Sequence, residues 1–173
     1  SGHLYALDDA CATCHMVEAS SDSPAAHLAG GHTFKPVWDG DTPEDTSDDV
    51  DLVSSCQECH GNITTFDFKK RDLNGDNVVD GVQTEVKSMM KVLARKLPPF
   101  GSEEVEVTED YTTAQLQAAF NYLFVYYDGS YGIHNTNYTV SLIRESIATL
   151  DGPENSIFEG LNTPVGGDWY YSY

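Results

Sequence analysis

Two short segments of the chain carry the residues whose types and spacing could do chemistry. CATCH occupies residues 11–15 and CQECH occupies residues 56–60, and each reads Cys-x-x-Cys-His. Together the two segments contain all four cysteines of the chain. Cys-x-x-Cys pairs occur in thioredoxin-like redox centres, in zinc sites and in the covalent attachment of haem. The histidine that follows each pair decides between these chemistries.

Haem attachment is the chemistry that uses the histidine as well as the thiols. A thioredoxin-like pair would accompany a βαβ pattern, which this sequence lacks. A Cys₄ zinc site or two disulfides would leave both histidines unexplained. In haem c the thiols bond to the two porphyrin vinyl groups, and a helix brings the first cysteine and the histidine to the same face, at i and i+4. We therefore expect two covalent haems. The first is held by Cys11, Cys14 and His15, and the second by Cys56, Cys59 and His60. A zinc site is the alternative.

The group that binds the opposite face of each iron determines the function. A second strong ligand makes an electron carrier, whereas an open face makes an enzyme or a gas binder. Met89 and Met90 lie on the apolar stripe of a predicted helix, and Met16 directly follows His15, so methionine is poorly placed for this role. Histidine is therefore the expected ligand on the opposite face of both irons.

His32 and His134 are the preferred candidates for these opposite ligands. His32 lies in GGHTF, where two glycines allow the backbone to approach a flat ring closely. His134 lies in GIHNTNY, directly before a predicted helix capped by Asn135 or Thr136. His3 is close to the start of the chain, and we expect it to reach the haem of a neighbouring copy if it acts as a ligand.

A calcium loop is predicted in DLNGDNVVDGVQTE, residues 72–85. The ligand positions of an EF-hand loop are matched through the ninth. Asn77 replaces the usual glycine and Gln83 replaces the final glutamate, but Glu85 could supply that carboxylate from two residues later. The alternative is an Asx-rich turn before a helix. The predicted calcium ligands are Asp72, Asn74, Asp76, the carbonyl of Val78, Asp80 and Glu85.

Length and charge limit the classes of partner. The 173 residues suffice for one domain with its own core, and 28 acidic against 9 basic residues give a net charge of −19. Such a surface repels nucleic acid and anionic membranes, and no run is apolar enough to cross a bilayer. Residues 39–51 are acidic and residues 69–96 hold most of the bases. They predict a solvated loop and a basic helix face, or else charge complementarity between copies.

Hydrophobic spacing predicts a mainly α-helical domain with long loops and no strand. The expected helices cover residues 8–18, 48–60, 82–97, 112–127 and 136–149. The apolar stripe of the third comprises Val82, Val86, Met89, Met90, Leu93 and Leu97. The fourth begins with a threonine cap, and its stripe towards the core or a haem comprises Leu116, Phe120, Leu123, Phe124 and Tyr127. The inward residues of the fifth are Leu142, Ile143 and Ile147. A loop-rich tail, residues 151–173, completes the single domain of residues 1–173.

These motifs resemble those of multihaem c-type cytochromes. CATCHM followed by GGHTF is similar to the C-x-x-C-H-M…H-x-F pattern of that family, and GIHNTNY is similar to its H-N-x-x-Y segments. The histidines of both segments ligate haem there. Some members polymerise into extracellular nanowires, in which a haem can take a histidine from the adjacent subunit, and this bears on His3 and His32. The resemblance covers most of residues 11–150, although the well-known filaments carry four or more haems per subunit.

The resemblance implies a small dihaem cytochrome c wrapped around its haems. We expect it to transfer electrons between bis-histidine irons and not to act as an enzyme. Its partners would be copies of itself in a conductive filament, other redox proteins or extracellular acceptors. Because haem c is attached after export, the protein would lie outside the cell or at its surface, or in the periplasm. The alternatives are a monomeric periplasmic shuttle and a small haem reductase or peroxidase with one open iron.

Overall fold

The fold was examined in a computed structural model, which describes residues 3, 7–9, 11–40, 42 and 45–152. The predicted tail lies, from residue 153 onwards, outside the described residues. The described part is mainly helical, as predicted, with a 3₁₀ turn at Gly31–Thr33. The expectation of no strand is wrong, because one small antiparallel sheet is present. Its elements are α1 (Cys11–His15), β1 (Val37–Trp38), β2 (Val50–Asp51), α2 (Gln57–His60), α3 (Val82–Arg95), α4 (Thr113–Asp128) and α5 (Thr136–Asp151).

The main core lies between α3, α4 and α5. The apolar stripe predicted for α3 is confirmed, because all six of its residues are buried, three of them completely. Burying each such side chain stabilises the fold by about 1.5–3 kcal/mol. The helix ends at Arg95, two residues before the predicted end, and Pro98 cannot continue it.

The predicted threonine cap of α4 is confirmed, but the prediction that its large residues pack on the core is wrong, and their packing against a haem stays a prediction. Gln115 N–H donates to Thr112 Oγ1, and Thr112 N–H donates to Gln115 Oε1, which forms a capping box. The buried residues of α4 are Ala118, Ala119 and Val125. Four of the five predicted residues are instead exposed, Leu116 by 45%, Phe120 by 68%, Phe124 by 48% and Tyr127 by 79%.

The physical reason is the close packing of α4 on α5. Alanines on the inner face allow the two helices to approach, and Asn121 Nδ2–H donates to Ser146 Oγ at 2.9 Å between them. Hydrophobic spacing weights large side chains, so it selected the opposite face. For α5 the predictions are confirmed in part. Asn135 caps the helix by accepting from Tyr138 N–H, and Ile143 and Ile147 are buried, but Leu142 is only partly buried and the helix runs to Asp151.

The region before α2 differs from the predicted helix over residues 48–60. Only Gln57–His60 is helical, and Val50–Asp51 pairs with β1 in the register Val37↔Asp51. The Asp51 carboxylate accepts hydrogen bonds from Thr65 Oγ1 at 2.7 Å and from the backbone N–H of Phe66 at 2.8 Å. These distant partners favour the extended backbone over a helix. The first predicted helix is also shorter than expected, because it ends at His15.

A second, smaller hydrophobic cluster supports the first Cys-x-x-Cys-His segment. Ala25, Ala29 and Leu52 are buried there, and Val17 and Trp38 pack against them. Within the described ranges, no helix has both the length and the hydropathy that a membrane span requires.

Candidate functional site

His15 and His134 form the first pair of imidazoles at the candidate site. His15 is the last residue of α1, and His134 lies in the short connection between α4 and α5. Their ring centres are 5.9 Å apart and their planes are inclined by 38°. The fold therefore brings the predicted proximal histidine of the first motif to one of the two predicted opposite ligands.

Both rings of this pair are oriented through Nδ1. His15 Nδ1 lies 3.0 Å from the carbonyl oxygen of Phe34, and His134 Nδ1 lies 2.8 Å from Asp128 Oδ1. Because both partners accept hydrogen bonds, each Nδ1 carries the proton, and Nε2 keeps the lone pair that a metal needs. Metal-binding histidines are commonly held in this way by a carbonyl or a carboxylate.

The connection between α4 and α5 explains why Asp128 reaches His134. Asp128 ends α4, and Gly129 adopts a left-handed conformation that turns the chain back. Ser130 Oγ–H donates to the Asp128 carboxylate and accepts from the backbone N–H of His134 at 3.3 Å. Burial tends to raise the pKa of Asp128, but the hydrogen bonds from Ser130 and His134 outweigh it, and the pKa lies below its ordinary value.

The GGHTF segment packs its phenylalanine, not its histidine, against the first pair. The Phe34 ring is stacked on His15, with ring centres 4.6 Å apart and planes inclined by 13°. Phe34 has the left-handed backbone angle φ 58°, which belongs to the turn that presents its carbonyl to His15. Gly30 makes this turn possible, because a Cβ there would lie 1.7 Å from the carbonyl oxygen of Val17.

His60 and His3 form the second pair. Their ring centres are also 5.9 Å apart, with planes inclined by 71°, and the Phe68 ring lies 5.4 Å from His60. The pKa of His3 is lowered, first by loss of hydration and then by the neighbouring His60, with a smaller contribution from His134. The sequence suggested a neighbouring copy's haem for His3, whereas the fold brings His3 to His60 of its own chain.

No disulfide joins the four cysteines, and the Cys14 thiol is near enough to the Cys56 thiol to affect its pKa. Burial raises the pKa of the Cys56 thiol, its contact with Ser55 Oγ at 3.9 Å opposes this, and the Cys14 thiol adds to the rise. No three His, Cys, Asp or Glu side chains of the described residues converge as a metal site. A Cys₄ zinc site needs such convergence, whereas in haem c the thiols bond to the porphyrin and only the imidazoles bind the iron.

The spacing of both pairs fits an iron bound between two imidazoles. A metal–imidazole bond is about 2.0 Å and the ring centre lies roughly 1.1 Å behind the nitrogen, so two rings on one metal have centres roughly 6.2 Å apart. The distance of 5.9 Å in each pair is close to this value. Each pair also contains the histidine of one Cys-x-x-Cys-His motif, and the two cysteines of that motif lie four residues and one residue before the histidine.

His32 is the candidate ligand that the fold does not bring to either pair. It is exposed on the 3₁₀ turn at Gly31–Thr33. The ring contacts found among the described residues pair His15 with His134 and His60 with His3. Its role as a ligand stays a prediction.

The predicted calcium loop is closed around Glu85, which is completely buried. The Glu85 carboxylate accepts from the backbone N–H groups of Leu73 at 3.3 Å, Asn74 at 3.0 Å and Asp80 at 2.9 Å. Asp72 accepts from two further backbone N–H groups of the loop. Glu85 thus reaches back into the loop as expected, and calcium binding stays a prediction.

Asn77 and the remaining loop residues also fit the Asx-rich turn. Asn77 has φ 67°, the left-handed conformation expected where an EF-hand has glycine. Asn74 Oδ1 accepts from Asp76 N–H, and Asp76 Oδ1 accepts from Val78 N–H. Both interpretations of the sequence therefore remain open.

Three basic residues at the end of α3 and directly after it are paired within the chain. Lys91 and Arg95 both contact the Glu103 carboxylate, and Lys96 contacts Asp151. The hydrogen bonds from Lys91 and Arg95 lower the pKa of Glu103. This favours the solvated helix face over charge complementarity between copies.

One residue of the candidate site was missed at the sequence level, and so was one pairing. Asp128 was not recognised, although an aspartate at the end of a predicted helix, followed by glycine and six residues before a candidate ligand, was a usable signal. No sequence signal paired His3 with His60.

No family model, curated protein or solved structure matches the chain. Its function must therefore be argued from the geometry of the site.

Proposed function

We propose that the chain is a dihaem c-type cytochrome that transfers electrons. The observation that carries the proposal is that each motif histidine has a second histidine at 5.9 Å. The first haem would be held by Cys11, Cys14, His15 and His134. The second would be held by Cys56, Cys59, His60 and His3.

The two haems would supply one-electron redox chemistry when bound. The protein's contribution is to hold two imidazoles at each site, so that neither iron offers a free position to a substrate. The adjacency of Cys14 and Cys56 would keep the two groups close together. This combination favours an electron carrier over a reductase or peroxidase.

Mass spectrometry and optical spectroscopy of the exported protein test this proposal. We expect two covalent haems per chain, a pyridine haemochrome spectrum of the c type and no carbon monoxide binding after reduction. A mature protein with zinc and no Soret band would contradict the haem assignment. Rapid carbon monoxide binding by the unaltered protein would favour the enzyme alternative.

We further propose that copies assemble into an extracellular filament. Support comes from α4, whose outer face exposes Leu116, Phe120 and Tyr127 by 45%, 68% and 79%. The helix has no charged residue before Asp128. Because the chain has a net charge of −19, copies should repel each other least where they contact through this uncharged face. Negative-stain microscopy separates a filament from a monomeric shuttle.

A structural calcium ion in the loop 72–85 is a separate proposal. Its support is the folded loop, in which Asp72 and Asp76 accept hydrogen bonds from loop N–H groups and Glu85 reaches back to the loop from α3. Isothermal titration with calcium after chelation tests it, and an absence of binding would leave the loop as an Asx-rich turn.

A further inference from the structure

The two imidazole pairs differ in the groups that surround their rings. In the first pair, His15 donates to the carbonyl of Phe34, and His134 donates to the carboxylate of Asp128. In the described part of the chain, the contacts of His60 are with the aromatic rings of His3 and Phe68. A carboxylate acceptor is therefore present at the first pair, whereas the exposed ring of His60 contacts the rings of His3 and Phe68.

Asp128 is built to be a charged acceptor. The hydroxyl and the backbone N–H of Ser130 both donate to its carboxylate, alongside the 2.8 Å contact with His134. Three donors thus converge on the two carboxylate oxygens, which is the arrangement that suits an acceptor-only carboxylate. Hydrogen bonds to an ionised acceptor are shorter and stronger than those between neutral groups.

A negative charge near a redox centre favours its oxidation. Asp128 places such a charge 2.8 Å from Nδ1 of His134, whereas the ring contacts of His60 are with His3 and Phe68.

Building on the proposed function, we infer that Asp128 makes the first haem site the lower-potential site of the two. A carboxylate that accepts from Nδ1–H makes the imidazole a stronger donor to the metal, and this stabilises the oxidised state. Asp128 is a positioning residue, because it acts through His134 and touches no reacting atom. Ser130 sets how much of the carboxylate's charge is available to His134.

Spectroelectrochemical titration of the exported holoprotein tests the inference. The unaltered protein should show two one-electron transitions at different potentials. Asp128→Asn removes the charge but retains an acceptor oxygen, so the lower transition should shift upwards while the other stays in place. The control is Asp110→Asn, which makes the same change of charge beyond the other end of α4, a helix of 16 residues and about 24 Å. It should leave both transitions unchanged.

A second variant covers the case in which Asp128→Asn fails to retain haem. Ser130→Ala keeps the contact between His134 and Asp128 but removes one donor, so the carboxylate becomes a stronger acceptor and the lower transition should shift downwards. Equal shifts of both transitions, or a shift of the upper one alone, would overturn the inference. An unaltered protein without haem would instead refute the proposed function, so the two failures are distinguishable.

Discussion

The ring of His3 lies edge-on to the ring of His60, with ring centres 5.9 Å apart and planes inclined by 71°. This contact joins the beginning of the chain to the second motif. It provides a second imidazole for a site at which the sequence offered no nearby ligand.

Replacing His3 by alanine should open one face of the second haem site. Because a reduced iron with a free position binds carbon monoxide, the variant should take up about one molecule per chain, whereas the unaltered protein should take up none. Optical titration of the reduced protein measures the stoichiometry. His27→Ala, which alters an exposed loop histidine, is the control. If the His3 variant binds no carbon monoxide, another residue serves the second iron.

Substitution of His134 should open the first site, and substitution of His32 should not. His134 lies at 5.9 Å from His15, whereas His32 is exposed on its 3₁₀ turn. We expect His134→Ala to bind carbon monoxide and to show a high-spin signal in electron paramagnetic resonance, while His32→Ala keeps the low-spin spectrum. The reverse result would restore His32 as the ligand and remove His134 from the site.

The turn at Gly30 should tolerate no side chain. Gly30 has φ 71°, and an added Cβ would lie 1.7 Å from the backbone oxygen of Val17, so Gly30→Ala should destabilise the protein by about 3 kcal/mol or more. Gly101→Ala is the matched control, because Gly101 has φ 87° with nothing within 4 Å of an added Cβ. It should cost only about 1–2 kcal/mol, the penalty for a left-handed backbone. If chemical denaturation shows that both variants lose the same free energy of unfolding, Gly30 does not approach the Val17 carbonyl as closely as described.

Glu85→Gln should weaken the loop that precedes α3. The buried carboxylate accepts from three backbone N–H groups. In the glutamine variant the side-chain NH₂ group would face one or more of these N–H donors, and the unmade hydrogen bond should lower the free energy of unfolding by about 1–3 kcal/mol. The measurement is chemical denaturation in excess chelator, so that calcium plays no part. The exposed Glu109, changed to glutamine, is the control and should have little effect. A variant as stable as the unaltered protein would mean that Glu85 is not essential to the loop.

Phe120→Ser should weaken assembly without weakening the fold. The side chain is 68% exposed on α4, so its loss should change the stability of a single chain by less than about 0.5 kcal/mol. Light scattering and negative-stain microscopy should show shorter or absent filaments. Phe100→Ser removes a side chain that is 72% exposed outside α4 and should leave assembly intact. Equal effects of both substitutions would argue against α4 as the contact face.

The sequence by itself predicted a chemistry for the two motifs, which stays a prediction, and it determined most of the helical core. Cys-x-x-Cys-His depends only on neighbours along the chain, and a helix turn brings the first cysteine and the histidine to one face. The stripe of α3 and the caps at Thr112 and Asn135 are likewise local patterns, and the structure confirms them.

Only the tertiary structure decided which histidines meet and which face of α4 is buried. His3 reaches His60 and Asp128 reaches His134 because separate segments fold together, and no local pattern encodes such contacts. The alanines of α4 are buried because close helix packing needs small side chains, whereas hydrophobic spacing favours large ones. Val50 and Asp51 are extended because β1 and the Thr65 region provide partners that a short helix would lack.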